Sequence, residues 1–421
     1  MGSFIADLSP LRESREFRLF YLGGAGASLG RQLALVAAPI QVFALTDSSL
    51  MVGLLGLSQF PAVLIGSTIG GTLSDAWDRR RVLIGAQTTV ALIGAALAVN
   101  ALLESPVVWL VFVLSALQAF VFSIDAPARM STVPRLVAHR RIPAAYALQV
   151  FNSQTAKAIG PILAGVVIAV WSLSAAFWLG AVLGMLSIAM IVAMSPLPAT
   201  GGGTRPSLRS IGQGIRFLRK EKAIQGAFLI DINATVFGVP RALFPEMGLS
   251  VFGGTEATVG LLFAAPGIGA LLAAATSGWV GRVRRAGRAT TISVVVWGLM
   301  IAAFGVSTSI PVALVFLGLA GGADAISSVF RATIVQLSTP DELRGRLSGL
   351  KIAAVGGGPR LGDAEAGLVS RAYGPSVAAW SGGLASAAGA LVLARVLPAF
   401  YNWVTPAEDD FAESESPGTL D

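Results

Sequence analysis

The stretch from Gly71 to Arg81, GTLSDAWDRRR, is a short polar and basic segment between two long apolar runs. The runs cover residues 50–74 and 80–103 and overlap the two ends of this stretch. A helix needs about 20 predominantly apolar residues to cross the hydrocarbon core of a bilayer. Both runs reach that length, so we interpret the stretch as a loop that joins two membrane-spanning helices.

The composition of the chain also indicates a membrane protein. Of its 421 residues, 54% are hydrophobic and 13% are charged, and the mean hydropathy is +0.73. Soluble domains carry about 25% charged residues. Half that fraction indicates that most of the surface faces lipid. The 49 glycines fit this interpretation, since glycine lets membrane helices approach each other closely.

The chain lacks the residue types that several function classes require. It has no cysteine and a single histidine, His139, so we expect no disulfide framework, no metal site and no cofactor. Its net charge of +7 could suggest a nucleic-acid partner. Basic residues are, however, expected at the cytoplasmic ends of membrane helices. We therefore predict no nucleic acid as partner.

Apolar runs between polar breaks predict twelve membrane-spanning helices, six in residues 1–195 and six in 223–397. The predicted spans are 18–45, 50–74, 80–103, 106–128, 145–170, 173–195, 223–247, 256–281, 288–308, 311–333, 346–371 and 375–397. Residues 196–222 carry too many charges to span and are interpreted as a cytoplasmic linker. The acidic tail, residues 398–421, is predicted to be disordered.

The basic residues predict the orientation of the spans. One set of connections holds Arg12, Arg15, Arg18, Arg79, Arg80, Arg81, Arg135, Arg140, Arg141, the basic residues of 205–222 and 282–288, Arg344 and Arg346. The opposite connections, such as residues 46–49 and 104–106, carry almost no Lys or Arg. The positive-inside rule then puts both termini in the cytoplasm of a multi-pass cell (inner) membrane protein.

The two sets of six spans resemble each other in sequence. At an offset of about 200 residues, Arg129 and Leu148 align with Arg331 and Leu350. Parallel six-helix repeats around a central cavity are a known transporter architecture. We therefore predict an all-α integral membrane fold of two parallel six-helix halves.

The loop between spans two and three carries a family resemblance. Its residues from Gly71 to Arg81 resemble the G-x-L-a-D-r-x-G-r-r signature of the major facilitator superfamily, although Asp78 stands where the family usually has Gly. In this family, the cluster of Gly71, Asp75, Arg79, Arg80 and Arg129 implies a cytoplasmic gate, with Arg129 as the expected partner of Asp75. The alternative for the loop arginines is a plain positive-inside run.

Span five carries a second motif. Gly160, Pro161 and Gly165 in GPILAG resemble the G-P-x-x-G-G antiporter motif of drug exporters, with Ala164 in place of one Gly. The resemblance implies a role in preventing leak. The alternative is an ordinary proline kink, because proline removes a backbone donor and clashes with the preceding turn.

Three further stretches resemble the enterobactin-exporter branch of the superfamily. They are residues 325–328, the loop 336–350 and Gly362-Asp363. This resemblance implies a secondary active transporter that works as a monomer by alternating access and exports a small organic substrate, either a siderophore or an amphipathic drug. The chain has no GxxxxGK[ST] loop, so proton coupling is expected in place of direct ATP use.

Two alternatives to export stay open. The first is a proton-coupled nutrient importer of the same fold, against which the antiporter-like motif argues. The second, from another class, is a non-transporting membrane sensor or an intramembrane enzyme. Without Cys and with a single His, only serine or carboxylate chemistry would remain for an enzyme.

Polar and ionisable residues at membrane depth are the candidates for the mechanism. Each charge costs roughly 2.5–3.5 kcal/mol on insertion scales, so such residues usually face a cavity or a partner. The proton-coupling candidates are Asp231, Asp324, Glu365 and Asp363, and the cavity or substrate candidates are Arg31, Lys157, Asn233 and Arg360. Asp231 ranks first, because its sequence neighbours include no cation.

Three more charged positions are given structural interpretations. Asp125 precedes Arg129 by four residues and is expected to pair with it on one helix face. Arg241 and Glu246 lie near the outer end of span seven and are expected to snorkel to the interface.

Span eleven contains Gly356-Gly357-Gly358-Pro359, directly followed by Arg360 and Asp363. Three glycines and a proline are expected to weaken the helix at about half depth. Interrupted membrane helices occur where they are buried in protein or line a wet cavity, so the charges after the break predict a binding or coupling site. The alternative is internal neutralisation, with Arg360 pairing Asp363.

Overall fold

The computed structural model describes residues 7–197 and 216–405, without the side chains of residues 71–72, 74–76 and 341–355. Long helices dominate these ranges. In chain order they are α1 (Arg15–Thr46), α2 (Ser49–Ala76), α3 (Arg79–Leu102), α4 (Val108–Leu136), α5 (Ile142–Val170), α6 (Leu173–Val192), α7 (Lys222–Phe237), α8 (Glu256–Ala275), α9 (Ala286–Val306), α10 (Ile310–Leu337), α11 (Asp341–Tyr373) and α12 (Pro375–Val396).

Twelve of these elements have membrane-spanning length once α7 is taken together with its continuation to Val251. Eleven are also apolar enough to cross a bilayer by composition alone. The twelfth, α11, has 33 residues and carries Arg360, Asp363 and Glu365. Its charges explain the low hydropathy, and the prediction of twelve spanning helices is confirmed.

Capping side chains fix where several helices begin. The Ser14 hydroxyl accepts a hydrogen bond from the Phe17 N–H at 3.0 Å at the start of α1. The Asp78 carboxylate accepts one from the Arg80 N–H at 2.8 Å at the start of α3. A side-chain oxygen at this position satisfies an otherwise unpaired helix N–H. Asp78 therefore has a structural role at the position where the superfamily signature has Gly.

Helices α1–α6 and α7–α12 form two six-helix halves that meet along two helix pairs, α2 with α11 and α5 with α8. Small residues bring the two backbones together. A Cβ added to Gly165 would lie 2.9 Å from the Cα of Gly260, and one added to Gly53 would lie 2.2 Å from the carbonyl oxygen of Asp363. Such close approach is available only to glycine.

The two ends of the bundle differ in their connections. At one end, helices are joined by short segments such as 47–48 and 171–172, and we call it the short-loop end. At the other, α3 begins with three arginines and the turn His139–Arg141 precedes α5. We call this the basic end. Arg129 and Arg331 lie toward the basic end, and Ser49 and Gly367 lie toward the short-loop end.

The break predicted in span eleven is in span seven instead. The α7 helix ends at Phe237, and the chain continues through a 3₁₀ turn (Arg241–Leu243), a short helical turn (Phe244–Glu246) and a π-helical turn (Met247–Val251). Gly238 and Pro240 lie at the interruption, and proline cannot donate the next helical hydrogen bond.

Helix α11 runs without interruption across Pro359, so the expected weakening at half depth is wrong. Its glycines are packed against neighbours: a Cβ on Gly357 would meet the Phe60 ring at 2.4 Å, and one on Gly362 would meet the Thr235 carbonyl oxygen at 2.4 Å. Tertiary packing on both sides therefore supports a sequence with low helical propensity. In addition, the Arg360 guanidinium donates a hydrogen bond to the carbonyl of Gly356.

The beginning of the predicted disordered tail is structured. Pro398–Tyr401 form a short helix, and Phe400 is fully buried against Gly226 and Gly287. The Trp403 indole N–H donates to the Ser338 hydroxyl at 3.1 Å. The expectation of disorder from residue 398 is therefore wrong for residues 398–405. Residues 406–421 and most of the predicted linker lie outside the described residues.

Candidate functional site

A cavity of about 740 Å³ lies between the two halves. Small-molecule sites commonly have about 300–1,000 Å³, so a compact organic molecule fits. Both halves contribute to its wall, through helices α1, α2, α4 and α5 on one side and α7–α11 on the other. Its charged lining residues are Arg31, Lys157, Asp231, Arg241, Asp324, Arg331, Arg360 and Asp363.

The wall from the first half carries two cations. The Arg31 guanidinium on α1 lies over the ring of Phe122 on α4, 4.1 Å from its centroid. Such a stack fixes the plane of the guanidinium while its N–H groups stay available. On α5, the Lys157 ammonium donates to the side-chain oxygen of Gln154 at 3.1 Å. Both line the cavity, as predicted.

The wall from the second half carries a group of ion pairs centred on Arg331 of α10. Its Nη2 lies 2.9 Å from Oδ1 of Asp231 on α7 and 3.5 Å from Oδ1 of Asp324. Its Nη1 donates to the Ser327 hydroxyl at 2.8 Å. Asp231 therefore has a cation at contact distance, and the reason for ranking it first is wrong. Sequence neighbours did not reveal a partner 100 residues away.

A third group lies where α11 faces the interruption of span seven. The Ala242 N–H donates to Oδ1 of Asp363 at 3.2 Å. Among the described side chains, Arg360 and Asp363 do not form the alternative ion pair, because Arg360 turns back to the Gly356 carbonyl. Arg241 interacts electrostatically with both Arg360 and Asp363. The charged groups after the glycine run therefore line the cavity at the broken helix.

Two predicted site residues lie away from the cavity. The Asn233 amide donates to the carbonyl of Ser386 at 2.8 Å, so it joins α7 to α12, and its prediction as a cavity residue is wrong. Glu365 is half-buried on the α11 face that also carries exposed Leu361 and Leu368. It is not among the described residues that line the cavity.

The gate motif is only partly described. Gly71 and the Asp75 side chain lie outside the described parts of the chain, so the expected contact between Asp75 and Arg129 stays a prediction. Arg129 pairs with Asp125 at 2.5 Å, as predicted. Arg80 donates to the Ile191 carbonyl at 3.1 Å and to that of Val192, and so caps the end of α6.

The last part of the loop motif and the motif of span five are both closely packed. Arg79 is buried, and its backbone N–H bonds to the Leu197 carbonyl. A Cβ on Gly160 would lie 2.5 Å from the Cβ of Gln32 on α1. Gly165 faces Gly260 of the other half, and Pro161 lines the cavity. The motif therefore lies where α5 meets both α1 and α8.

Sequence reasoning missed three functional positions. Arg331 aligns with Arg129 in the internal repeat, and that alignment was the available signal. Arg241 and Glu246 were expected to snorkel, which is wrong: Arg241 lines the cavity, and Glu246 accepts hydrogen bonds from Ser49 and Ser370. The sequence Gly238-Val239-Pro240 was the signal for a break that turns this segment inward.

The charges of the described lining residues do not cancel. Five are cationic and three are acidic, which leaves an excess of two positive charges around one cavity. The cations come from four helices and the interruption of span seven. A bundle of twelve membrane helices in two halves around a central charged cavity defines a secondary transporter.

The model of the family described as transmembrane secretion effector matches residues 5–416. The chain belongs to this family of the major facilitator superfamily, whose members are transporters and not enzymes. Enterobactin exporter EntS of Citrobacter koseri is 28% identical over 365 residues, which cover 87% of this chain and 88% of that protein. EntS of Escherichia coli is 27% identical over 381 residues, covering 90% and 91%.

Solved structures share the fold. The nucleoside transporter NupG superposes with a TM-score of 0.68 and 17% identity, covering 92% of this chain and 99% of the other. A bacterial homologue of the human lysosomal transporter Spinster, in an inward-facing and unoccupied conformation, superposes with a TM-score of 0.67 and 13% identity. That comparison covers 92% of this chain and 95% of the other.

Proposed function

We propose that this protein exports a siderophore of the catecholate kind from the cell across the inner membrane, with both termini in the cytoplasm and a single chain as the working unit. The observation that carries the proposal is the cavity with five cationic and three acidic lining residues. Its excess positive charge favours an anionic or polyphenolic substrate. The relatives named as enterobactin exporters support the same substrate class.

The cavity offers such a substrate two kinds of contact. Guanidinium groups of Arg31 and Arg360 can donate paired hydrogen bonds to deprotonated catechol or carboxylate oxygens. Aromatic side chains of Phe122, Phe228 and Trp297 line the same space and can stack on catechol rings. Charge and aromatic surface together favour a siderophore over a neutral amphipathic drug.

The transport test uses the full chain in liposomes with an imposed pH gradient. Uptake of enterobactin and of a panel of cationic fluorescent drugs is measured for the wild type, Lys157→Gln and Arg360→Gln, with the exposed loop variant Glu104→Gln as control. We expect gradient-driven uptake of enterobactin that both cavity variants lower and the control leaves unchanged. Gradient-driven uptake of the drugs without uptake of enterobactin would overturn the proposal.

We further propose that protons drive export and that Asp363 is the coupling acid. Its Oδ2 lies 3.0 Å from where a Cβ on Gly56 of the first half would be, and its Oδ1 accepts the Ala242 N–H at the broken helix of the second. Protonation would remove the charge that attracts Arg241 and Arg360 and would weaken that hydrogen bond. A proton on this residue can therefore change how the two halves meet.

The variants Asp363→Asn, Asp324→Asn and Asp231→Asn separate the candidate acids. We expect Asp363→Asn to abolish uptake driven by the pH gradient. Substrate should still cross the membrane down its own concentration gradient. Asp231 is paired with Arg331. We therefore expect Asp231→Asn to be less stable than the wild type but still to couple uptake to the pH gradient. If Asp363→Asn still transports with the gradient, the coupling acid is another residue, with Asp324 as the next candidate.

A further inference from the structure

The segment Arg241–Glu246 forms the part of span seven that follows its interruption, and we call it the closing segment. It consists of a 3₁₀ turn and one helical turn at the short-loop end. It packs against α2 of the first half and α11 of the second. A short element that touches both halves at one end of the cavity is in position to control access from that end.

Glu246, the last residue of the closing segment, bonds to both halves. The Ser370 hydroxyl on α11 donates to its Oε2 at 3.0 Å, and the Ser49 hydroxyl at the start of α2 donates to the same oxygen. Ser49 is buried. An ionised carboxylate is a stronger hydrogen-bond acceptor than a neutral oxygen, and this one accepts two hydroxyl hydrogen bonds. One carboxylate oxygen therefore connects three elements across the interface.

The rest of the closing segment is also fixed. Phe244 is buried edge-to-face against Phe263 at 4.9 Å and against Phe304 at 5.9 Å between ring centroids. The Ala242 N–H is bonded to Asp363. The segment is thus held at its beginning, middle and end. The attachments at its two ends are hydrogen bonds, which can break and re-form without repacking a hydrophobic core.

The two halves also approach each other closely at this place. A Cβ on Gly367 would lie 2.7 Å from the Ser49 carbonyl oxygen and 2.9 Å from the Cα of Leu50. Val52, one helical turn further along α2, is buried and lines the cavity. The bonds of Glu246 therefore lie between the short-loop end and the cavity, directly beyond Val52.

We propose that Glu246 is a latch that holds the short-loop end closed through Ser49 and Ser370. It is a positioning residue for alternating access, since it bonds the two halves and is not one of the described residues that line the cavity. Losing the latch shifts the equilibrium toward the state that opens at the short-loop end. The proposal concerns the conformational equilibrium and does not depend on which substrate is carried.

The test uses the absence of cysteine from the natural chain. Val52→Cys is introduced as the only thiol, and its reaction with a membrane-impermeant maleimide is timed from each side of the membrane in cells and in inverted vesicles. From the short-loop side we expect slow labelling in the Val52→Cys protein. Adding Glu246→Ala should raise this rate about tenfold, the effect of a shift of about 1.4 kcal/mol in the equilibrium.

Two further variants test whether the bonds carry the effect. Ser49→Ala removes the bond between the halves, and we expect faster labelling than in the parent protein. Glu246→Gln keeps a neutral side-chain oxygen that can accept both bonds more weakly, so its labelling rate should lie closer to the parent than to Glu246→Ala. Ser58→Ala is the matched control on the same helix, because its hydroxyl bonds to Leu55 within α2.

Each outcome decides the proposal. Fast labelling in Glu246→Ala and Ser49→Ala, with slow labelling in Glu246→Gln and Ser58→Ala, supports the latch. Parent-like labelling in folded Glu246→Ala overturns it, and so does equal acceleration by Ser58→Ala. If Glu246→Ala does not fold, the Ser49→Ala and Ser370→Ala double variant removes both donors and gives the same decision. Substrate uptake by the latch variants is recorded separately, so a wrong substrate does not affect the result.

Discussion

At the scale of single residues, Arg331 pairs with two of the three described acids that line the cavity. Its side chain is 12% exposed and holds Asp231, 14% exposed, and Asp324, 47% exposed. Removing one member of a largely buried ion pair leaves an uncompensated charge, which typically costs about 3–5 kcal/mol. Because the pair borders the cavity and is not fully enclosed, we expect the lower end of that range.

Arg331→Met should therefore lower the thermal unfolding temperature of the purified protein, and the double variant Asp231→Asn with Arg331→Met should recover part of the loss. Thermal unfolding in detergent, followed by intrinsic tryptophan fluorescence, measures both. Arg288→Met is a suitable control, since Arg288 lies outside the cavity over Tyr401. If the double variant is less stable than Arg331→Met, the loss does not come from an unpaired Asp231.

Residue types indicated much of the cavity from the sequence, and helix rotation explains the exceptions. Arg31, Lys157, Asp231, Asp324, Arg360 and Asp363 were predicted from charge at membrane depth, and all line the cavity. Asn233 follows Asp231 by two residues, which turns it about 200° around the helix, toward α12. Hydropathy gives the depth of a residue but not the direction in which it points.

Among the elements, α11 depends on glycine for its packing against α7. Gly362 faces the Thr235 carbonyl oxygen, which a Cβ would meet at 2.4 Å, whereas a Cβ on Gly356 would lie 3.3 Å from a side-chain methyl of Val63. A backbone atom cannot move aside as a methyl group can. Gly362→Ala should therefore destabilise the protein by about 1–3 kcal/mol, as overpacking does.

Gly356→Ala is the matched control within the same helix and should be close to neutral. Thermal unfolding and liposome uptake are compared for the two variants. We expect Gly362→Ala to lose both stability and uptake, because it separates α11 from α7 beside Asp363. Equal behaviour of the two variants would show that the packing of α11 on α7 is not tight.

The position of the helix break was not predictable from composition. Gly356-Gly357-Gly358-Pro359 is the stronger local breaker, yet α11 is continuous there because α2 and α7 pack on its glycines. Span seven has only two helix-breaking residues, Gly238 and Pro240, but it does break there. Local propensity is a weak prior that tertiary contacts override, and a sequence without contacts cannot rank two candidate breaks.

The short helix Ser9–Glu13 is tied to the bundle by charge and should respond to pH. Arg141 lies 2.6 Å from Glu13 and 3.2 Å from Asp7. The Arg141 hydrogen bond lowers the pKa of Glu13 below its usual value, and hydrogen bonds from Ser9 together with Arg141 lower the pKa of Asp7. Depressed carboxyl pKa values stabilise the folded form above the unfolded pKa and lose that effect as the pH falls through the folded value.

Attachment of this helix should therefore be complete at pH 7 and weaken below about pH 4, where such carboxyl groups become protonated. Hydrogen exchange of residues 9–13 at pH 7 and pH 3.5, corrected for the intrinsic pH dependence, measures it. We expect Arg141→Ala to exchange fast at both pH values. A helix whose protection is unchanged in Arg141→Ala is held by its apolar contacts and not by this pair.

For the entire transporter, we expect the two helix pairs between the halves to close the short-loop end together. The α2–α11 pair is bonded by the proposed Glu246 latch, and the α5–α8 contact contains Gly165 of the antiporter-like motif and Gly260 of α8. A Cβ on Gly260 would lie 2.5 Å from the Pro161 carbonyl oxygen and 2.9 Å from the Cα of Gly165. Both are backbone atoms of the other half, so the halves themselves must separate to make room.

Gly260→Ala should therefore open the short-loop end even though Glu246 is untouched. In the Val52→Cys protein we expect faster maleimide labelling from that side and weaker gradient-driven uptake. Gly318→Ala is the control, because its Cβ would meet its nearest atom at an ordinary 3.7 Å within the second half. If Gly260→Ala labels at the parental rate while remaining folded, α5–α8 packing does not govern the opening of Val52, and closure depends on the α2–α11 side alone.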